Sequence, residues 1–144
     1  MKLAFGCDPN ADEFKLHLMK YAQELGHEVE DFGSEDPIYA NTAIKVVEAV
    51  AAGDYDRGII VCGTGIGVSI AANKVKGAYA ACIHDVYQAQ RAALSNNANV
   101  ITMGSQVIGE KLAECMVAEY LSCTYDPNSR SKDKVQRIVD FENE

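Results

Sequence analysis

Residues 58–67 read GIIVCGTGIG, and this stretch decides the fold. Its first half, Gly58–Cys62, is a short apolar run rich in β-branched side chains, which predicts a buried strand. Its second half has glycines at positions 63, 65 and 67, and the residues that follow as far as Lys74 predict a helix. A buried strand, a glycine-rich turn and a helix in direct succession are typical of parallel α/β sheets.

The same alternation of apolar and amphipathic segments continues on both sides of this unit. Four further runs have the composition of short strands: Leu3–Cys7, Glu28–Phe32, Tyr79–Ile83 and Asn99–Met103. Together with 58–62 they predict a Rossmann-like, doubly wound five-stranded parallel sheet of the α/β class, with helices on both faces. Ligands of such sheets bind beyond the carboxyl ends of the strands, so we expect functional residues where these runs end.

Helical segments fill the intervals between the predicted strands. Asn10 and Glu13 are spaced as a capping box for the first helix, and Asp85 with Gln88 predicts the amino-terminal cap of another. The other bounds follow from the apolar periodicity and the glycine stops. The predicted helices are Asn10–Leu25, Tyr39–Ala52, Ile66–Lys74, the segment from the Asp85 cap to Leu94, Gly109–Leu121 and Ser131–Phe141.

Length and composition predict one cytoplasmic domain, residues 1–144, with neither a nucleic-acid nor a membrane partner. No apolar run approaches the roughly 18 residues that span a bilayer, and the amino terminus lacks the pattern of a signal peptide. The 13 basic and 21 acidic residues give a net charge of −8, which disfavours binding to a phosphate backbone. The 3 histidines and 5 cysteines show no metal-ligand spacing, so no metal and no other cofactor is predicted.

The glycine-rich turn offers a site for an anion or a developing oxyanion. Glycine permits close backbone approach, so successive amides of the turn can converge on a ligand. Cys62 stands at the strand end, facing these donors, and is a candidate nucleophile or proton-transfer base. Equally, the turn can be a device for packing strand against helix, and Cys62 a small buried apolar residue.

Polar residues elsewhere supply further candidates. Thr64 can donate a hydrogen bond to a substrate oxygen or merely cap the helix. Asp8 ends the first strand, where it can hold a hydroxyl, shuttle a proton or stabilise the turn before Pro9. Segment 130–137 has four basic residues and one acidic residue, a net charge of +3 on an acidic chain. Within it, Arg130 and Lys134 suit a phosphate or carboxylate ligand, or else belong to a solvated terminal helix.

Several blocks of the sequence resemble one family along nearly the whole chain. The longest is CGTGIGVSIAANK at 62–74, and shorter ones are Gly6–Asp8, Asp31–Gly33, Asn99-Val100 with Met103–Ser105, and Val107–Gly109. They resemble the ribose-5-phosphate isomerase B family, which includes the galactose-6-phosphate isomerase subunits. The resemblance implies a Rossmann-like fold, reversible aldose–ketose isomerisation of a sugar phosphate, and no metal. It also implies a homodimer or homotetramer with shared active sites, in which the helix within 128–144 packs on a partner subunit.

The resemblance further implies catalytic roles for individual residues. Cys62 becomes the base that moves a proton between C1 and C2, Thr64 handles the O1/O2 proton, and Asp8 binds a substrate hydroxyl. A developing enediolate needs preorganised N–H donors, which agrees with the convergence of the turn's amides. The implied donors are the amides of Gly63, Gly65, Ile66 and Gly67.

Recognition of the rest of the substrate is assigned in the same way. Arg130, and with it Lys134, match the phosphate ligands of the family. Tyr39 and Asn96 are candidates to touch the substrate, with the alternative that they only order their loops.

Three positions depart from the family pattern. Pro9, Ser95 and Gln106 stand where the family usually has His, His and Arg, and the His at the position of Ser95 opens the sugar ring. A pentose 5-phosphate cyclises through its 4-hydroxyl, whereas in a tetrose 4-phosphate that oxygen is phosphorylated and the usual furanose cannot form. The departure therefore favours a tetrose. Segments 39–41 and 91–98 are also similar to the branch that interconverts D-erythrulose 4-phosphate and D-erythrose 4-phosphate.

Other functions stay open. The chain can be a ribose-5-phosphate/ribulose-5-phosphate isomerase that relies on spontaneous ring opening. It can also be a partner-dependent subunit of a hexose-6-phosphate isomerase, although the retained Asp8, Cys62 and Thr64 argue against this. A small nucleotide-binding or signalling module shares the fold. The chain lacks the dinucleotide fingerprint and the acidic pocket with lysine of a receiver domain, so this function is disfavoured.

Overall fold

The strands form one parallel sheet, and the direction in which the chain adds strands reverses between the first and third strands. In the computed structural model, which describes residues 1–144, the strand order is β2-β1-β3-β5-β4 and every pair is parallel. The five-stranded parallel sheet predicted from the sequence is confirmed. The chain passes from β1 outward to β2 and then crosses to β3, so a crevice opens at the carboxyl ends of β1 and β3. The strands are β1 (Lys2–Cys7), β2 (Glu28–Asp31), β3 (Arg57–Cys62), β4 (Ala80–Cys82) and β5 (Val100–Gly104).

Helices lie close to the predicted bounds, and one predicted cap is wrong. Asp85 caps its helix, since its carboxylate accepts a hydrogen bond from the Gln88 amide at 2.6 Å. The capping box of Asn10 and Glu13 does not form: a short 3-10 turn occupies Pro9–Ala11, and Ala11 precedes the helix without a side-chain cap. Pro9 has a φ that suits a first turn and no N–H to satisfy, so the chain turns one step earlier. The helices are α1 (Asp12–Glu24), α2 (Tyr39–Ala51), α3 (Ile66–Ala72), α4 (Val86–Leu94), α5 (Glu110–Ser122) and α6 (Lys132–Glu142).

The two faces of β3 enter two separate cores. Ile59 and Val61 pack into the larger core, which α1, α4 and α5 cover. Ile60 and Cys62 point to the other face, where they pack with residues of α2 and α3. Because successive side chains of a strand alternate between faces, burial on both sides explains why 58–62 is a continuous apolar run. It also fixes Cys62 on the face that α3 covers.

One charged side chain is fully buried beneath the end of β1. Lys15 has no exposed surface, and its Nζ lies 2.6 Å from Asp31 Oδ1 and 3.4 Å from Asp12 Oδ1. Burial opposes the charge, but the hydrogen bond to Asp31 and the nearby negative groups outweigh it, so the pKa of Lys15 is raised. Asp31 also accepts a hydrogen bond from the Gly33 amide, so this ion pair ties α1 to the loop after β2.

The last helix is attached to its own chain by its carboxyl end. Glu142 accepts hydrogen bonds from the Gly77 amide at 2.8 Å and from the Tyr79 hydroxyl at 2.5 Å, both in the segment before β4. These bonds lower the pKa of the Glu142 carboxyl. No residue of α6 is buried, and Ile138 and Phe141 are exposed. No helix in the structure combines the length and apolar character needed to cross a membrane.

Candidate active site

The glycine-rich loop is held against the end of β5 by close backbone contacts. Gly65 has a φ of +78°, and a Cβ there would lie 2.7 Å from the carbonyl carbon of Met103. A Cβ on Gly104 would lie 2.6 Å from the carbonyl carbon of Thr64. The Ser105 amide donates to the Cys62 carbonyl at 2.9 Å, and the Thr102 hydroxyl donates to the Gly65 carbonyl at 2.7 Å. The close packing of the loop on β5 therefore requires glycine at position 65 in the loop and at position 104 in the strand.

The amides of this loop divide into two groups. The Gly65 amide lies 3.1 Å from Cys62 Sγ, and the Ile66 amide lies 3.3 Å from Thr64 Oγ1. Both were predicted to face a substrate oxygen, and the structure instead shows them donating to side chains of the loop itself. The amides of Gly63, Thr64 and Gly67 donate to no acceptor in the chain. An oxygen that gained negative charge in the crevice would find these free donors without any reorganisation of the loop.

Cys62 combines burial with a hydrogen-bond donor at its sulfur. The residue is only 5% exposed, and the Gly65 amide at 3.1 Å can stabilise a thiolate. Cys7 occupies the corresponding end of β1 but is fully buried, and burial raises the pKa of its thiol to about 12. Cys7 is therefore held as the neutral thiol, and Cys62 is the thiol at the loop.

Asp8 carries a buried oxygen that has no partner. It follows Cys7, which pairs with Val61 across β1 and β3, so Asp8 and Cys62 lie at neighbouring strand ends as expected. Asp8 Oδ1 is buried and makes no hydrogen bond within the chain. A buried carboxylate oxygen without a donor is costly, and a substrate hydroxyl in the crevice would satisfy it.

Tyr39 lies directly against the loop. A Cβ on Gly67 would stand 2.4 Å from two carbons of the Tyr39 ring. Only glycine at 67 allows this contact, which places the first residue of α2 beside α3. Thr64 is exposed. Gln106 lies close as well, since a Cβ on Gly63 would be 3.3 Å from Gln106 Oε1.

The other predicted substrate ligands gather in a second place. Asn96, Arg130 and Lys134 line a cavity of about 510 Å³ between α4 and α6, together with Ser95. Neither Asp8 nor any residue of the loop 62–67 lines it. Ser95 and Asn96 precede β5, and so lie toward the amino end of a strand whose carboxyl end meets the loop. Within one chain the structure does not bring the two halves of the predicted site together.

Sequence reasoning missed one of the cations of this cavity. Arg91 lines it, and its Nε donates a hydrogen bond to Ser95 Oγ at 2.7 Å. The spacing of i, i+4 on a helix was the available signal. No group of three or more His, Cys, Asp and Glu side chains is placed to hold a metal ion.

The fold and the crevice define the class of protein. It is an α/β protein with a crevice at the switch point between β1 and β3, the place where sheets of this kind bind their ligands. Comparison with known proteins makes the class specific. The model of the family described as "Ribose/Galactose Isomerase" matches residues 3–138. The chain belongs to that family of sugar-phosphate isomerases, as the resemblance of the glycine-rich block predicted.

Individual relatives agree with this assignment. D-erythrulose-4-phosphate isomerase 2 of Mycolicibacterium smegmatis is 43% identical over 148 residues, covering 99% of this chain and 97% of the relative. Ribose-5-P isomerase B of Listeria innocua is 43% identical over 145 residues, with the same coverage. The structure of ribose-5-phosphate isomerase B from Clostridium thermocellum superimposes with a TM-score of 0.92 at 36% identity, covering 99% of this chain and 98% of the other. Identity alone does not separate the tetrose from the pentose substrate.

Proposed function

We propose that this isomerase interconverts D-erythrulose 4-phosphate and D-erythrose 4-phosphate. The observation that carries the proposal is the state of Ser95, which stands where the resemblance predicts a ring-opening histidine. Its hydroxyl is engaged with Arg91, and the cavity that it lines contains no histidine. A tetrose 4-phosphate needs no ring opening, because the oxygen that would close the furanose is phosphorylated. The similarity to the mycobacterial tetrose isomerase supports the same substrate.

The proposed reaction moves one proton from C2 to C1 and a second proton from O2 to O1. With the aldose bound, the Cys62 thiolate removes the proton from C2, and the electron pair forms a cis-enediolate with charge on O1. The free amides of Gly63 and Gly67 stabilise that oxygen. Thr64 passes the proton between O2 and O1, and Cys62 returns its proton to C1. The product is the ketose, and the thiolate is regenerated.

Asp8 has a positioning role in this scheme. Its unpartnered Oδ1 accepts a hydrogen bond from a substrate hydroxyl, which fixes the reacting carbons against Cys62. Tyr39 closes the site beside Gly67. Because Asp8 and Tyr39 hold the reacting carbons near Cys62, we place the aldehyde or ketone end of the substrate at the loop. The phosphate then points toward the cations Arg130 and Lys134.

The phosphate subsite is proposed to come from a second copy of the chain. Arg130, Lys134 and Asn96 line a cavity apart from the loop of the same chain, yet one small substrate must reach both. A homodimer or homotetramer that sets the cavity of one copy beside the loop of another resolves this. The exposed Ile138 and Phe141 of α6 supply apolar surface for such an interface, although Glu142 attaches the helix to its own chain.

A paired kinetic assay tests the substrate. We expect kcat/KM for D-erythrulose 4-phosphate to exceed that for ribose 5-phosphate by about a hundredfold, the scale of one lost general acid. In the variant Ser95→His the ratio should fall, because an imidazole is restored at the ring-opening position. Wild-type preference for ribose 5-phosphate would contradict the tetrose assignment and favour the pentose function, which the Listeria relative suggests. No turnover by the lone chain would favour the partner-dependent subunit.

A further inference from the structure

The cavity between α4 and α6 has a third cation, Arg91. Its Nε donates to Ser95 Oγ at 2.7 Å, and the pair is partly buried. Arg91 reaches the cavity from α4, whereas Arg130 and Lys134 reach it from the segment before α6 and from α6 itself. The three cations therefore approach one space from three parts of the chain: α4, the segment before α6, and α6.

No acidic group neutralises these three cations. The residues that line the cavity include no Asp or Glu. None of the ion pairs in the structure involves Arg91, Arg130 or Lys134. On a chain of net charge −8, three unpaired cations in one cavity repel each other and stay together only at a cost. A bound dianion removes that cost.

The hydrogen bond to Ser95 prepares Arg91 for such a ligand. It uses Nε and leaves both terminal nitrogens of the guanidinium free to donate. Two parallel N–H groups match two oxygens of a phosphate monoester, a geometry that lysine cannot offer. The contact also depends on a small residue at 95. An imidazole there would extend into the space that the guanidinium occupies, only 2.7 Å from Oγ.

We propose that Arg91 binds the phosphate of the substrate and that Ser95 is the positioning residue that holds its guanidinium. The inference deepens the proposed function and rests on it, since it specifies which side chains recognise the phosphate monoester. The serine at position 95 then has two effects, of which the first is the absence of a ring-opening histidine. Exchange of the ring-opening residue for serine also admits a third phosphate-binding cation.

The first test measures binding without catalysis. Inorganic phosphate is titrated into wild type, Arg91→Met, Ser95→Ala and Arg137→Met by calorimetry. Arg137 is the matched control, because it is an exposed arginine paired with Glu144 and does not line the cavity. We expect Arg91→Met to raise the Kd about tenfold or more, and Ser95→Ala about threefold. Arg137→Met should stay within about twofold, the scale of an exposed charge.

The second test separates phosphate recognition from a merely structural role. For D-erythrulose 4-phosphate, Arg91→Met should raise KM about tenfold while kcat stays nearly unchanged. For unphosphorylated D-erythrulose its kcat/KM should match wild type. Arg91→Lys keeps the charge but loses the bidentate donor, so its KM should lie between those of wild type and Arg91→Met. This variant replaces Arg91→Met in the test if Arg91→Met does not fold.

The outcomes distinguish this inference from the proposed function. Unchanged phosphate affinity in both Arg91→Met and Arg91→Lys overturns the role of Arg91. Equal loss of kcat/KM for the phosphorylated and unphosphorylated sugars also overturns it, because the defect would then be structural. Arg91-dependent phosphate binding by a protein that does not turn over the tetrose supports the inference and contradicts the proposed substrate.

Discussion

The glycine-rich loop and the cavity between α4 and α6 are built in opposite ways, which suits the two different recognition roles proposed for them. The loop is made of backbone, with amide donors fixed by contacts such as Gly65 against Met103. The cavity is made of long side chains, and its Arg130 and Lys134 are exposed. A developing enediolate gains most from donors that do not move. A phosphate that keeps its charge throughout the reaction needs only positive potential nearby, which flexible cations supply.

Apart from the removal of Cys62 itself, the largest effect should come from a change of backbone in the loop. Gly65→Ala places a Cβ at a φ of +78° and within 2.7 Å of the Met103 carbonyl carbon, so the loop must shift. We expect kcat to fall by about a hundredfold or more, since a displacement of about 1 Å suffices for that. Phosphate affinity at the cavity should not change, as calorimetry can show.

Gly109→Ala is the matched control for that variant. Gly109 has no positive φ, and a Cβ there would meet nothing within 4 Å. Its activity should equal that of wild type. Loss of phosphate affinity in Gly65→Ala would show that the loop, rather than the cavity, binds the anion.

Mixing two variants that are each impaired at low substrate concentration tests whether the two regions of one site come from different copies. Cys62→Ala lacks the proposed base, and the double variant Arg130→Met/Lys134→Met lacks two of the proposed phosphate-binding cations. If one site takes its loop and its cavity from different copies, half of the randomly mixed dimers are heterodimers, each with one intact site. At substrate concentrations well below KM, activity should then recover to about a quarter of wild type after subunit exchange. No recovery, with exchange verified by native mass spectrometry, would contradict shared sites.

A single charge removed from the cavity should affect binding alone. Lys134→Met should raise KM for D-erythrulose 4-phosphate about tenfold at nearly constant kcat, because phosphate binding is equally strong in ground and transition states. Lys132→Met, in the first turn of the same helix but outside the cavity, is the control. A fall in kcat without a change in KM would place Lys134 in the chemical step.

The smallest effect is expected from the hydroxyl of Tyr39. The structure shows its ring against Gly67, so Tyr39→Phe keeps the contact and should change kcat/KM by less than about threefold, the worth of one weak hydrogen bond. Tyr39→Ala leaves the space beside Gly67 open and should cost more. A large loss in Tyr39→Phe alone would assign the hydroxyl to the substrate.

How much the sequence predicts differs between the same two regions. The loop is a local pattern, in which an apolar run, three glycines and a helix stand in direct succession. That pattern fixes the fold class and places Cys62 at a strand end. The direction of single amides is finer than any pattern, and so the donors at Gly65 and Ile66 were assigned to the substrate while the structure turns them inward.

The cavity depends on tertiary packing that no local signal encodes. Arg130 and Lys134 are recognisable in the sequence as part of a local cluster of positive charge on an acidic chain. Their separation from the loop depends on where α6 packs, which the sequence pattern does not specify. Arg91 was missed because one arginine on an amphipathic helix usually faces solvent. The cap predicted at Asn10 failed for a local reason, since Pro9 begins the turn earlier.

Proton transfer by Cys62 is the central claim, and solvent deuterium exchange tests it most directly. D-erythrulose 4-phosphate is incubated in D₂O with wild type, with Cys62→Ala and with Cys115→Ala, which removes an exposed cysteine of α5. Deuterium at C1, the carbon to which Cys62 is proposed to deliver its proton, is followed by NMR. The account predicts that Cys62→Ala slows both exchange and isomerisation about a thousandfold, while Cys115→Ala matches wild type. Exchange by Cys62→Ala at the wild-type rate would contradict it, because another group would then be the base.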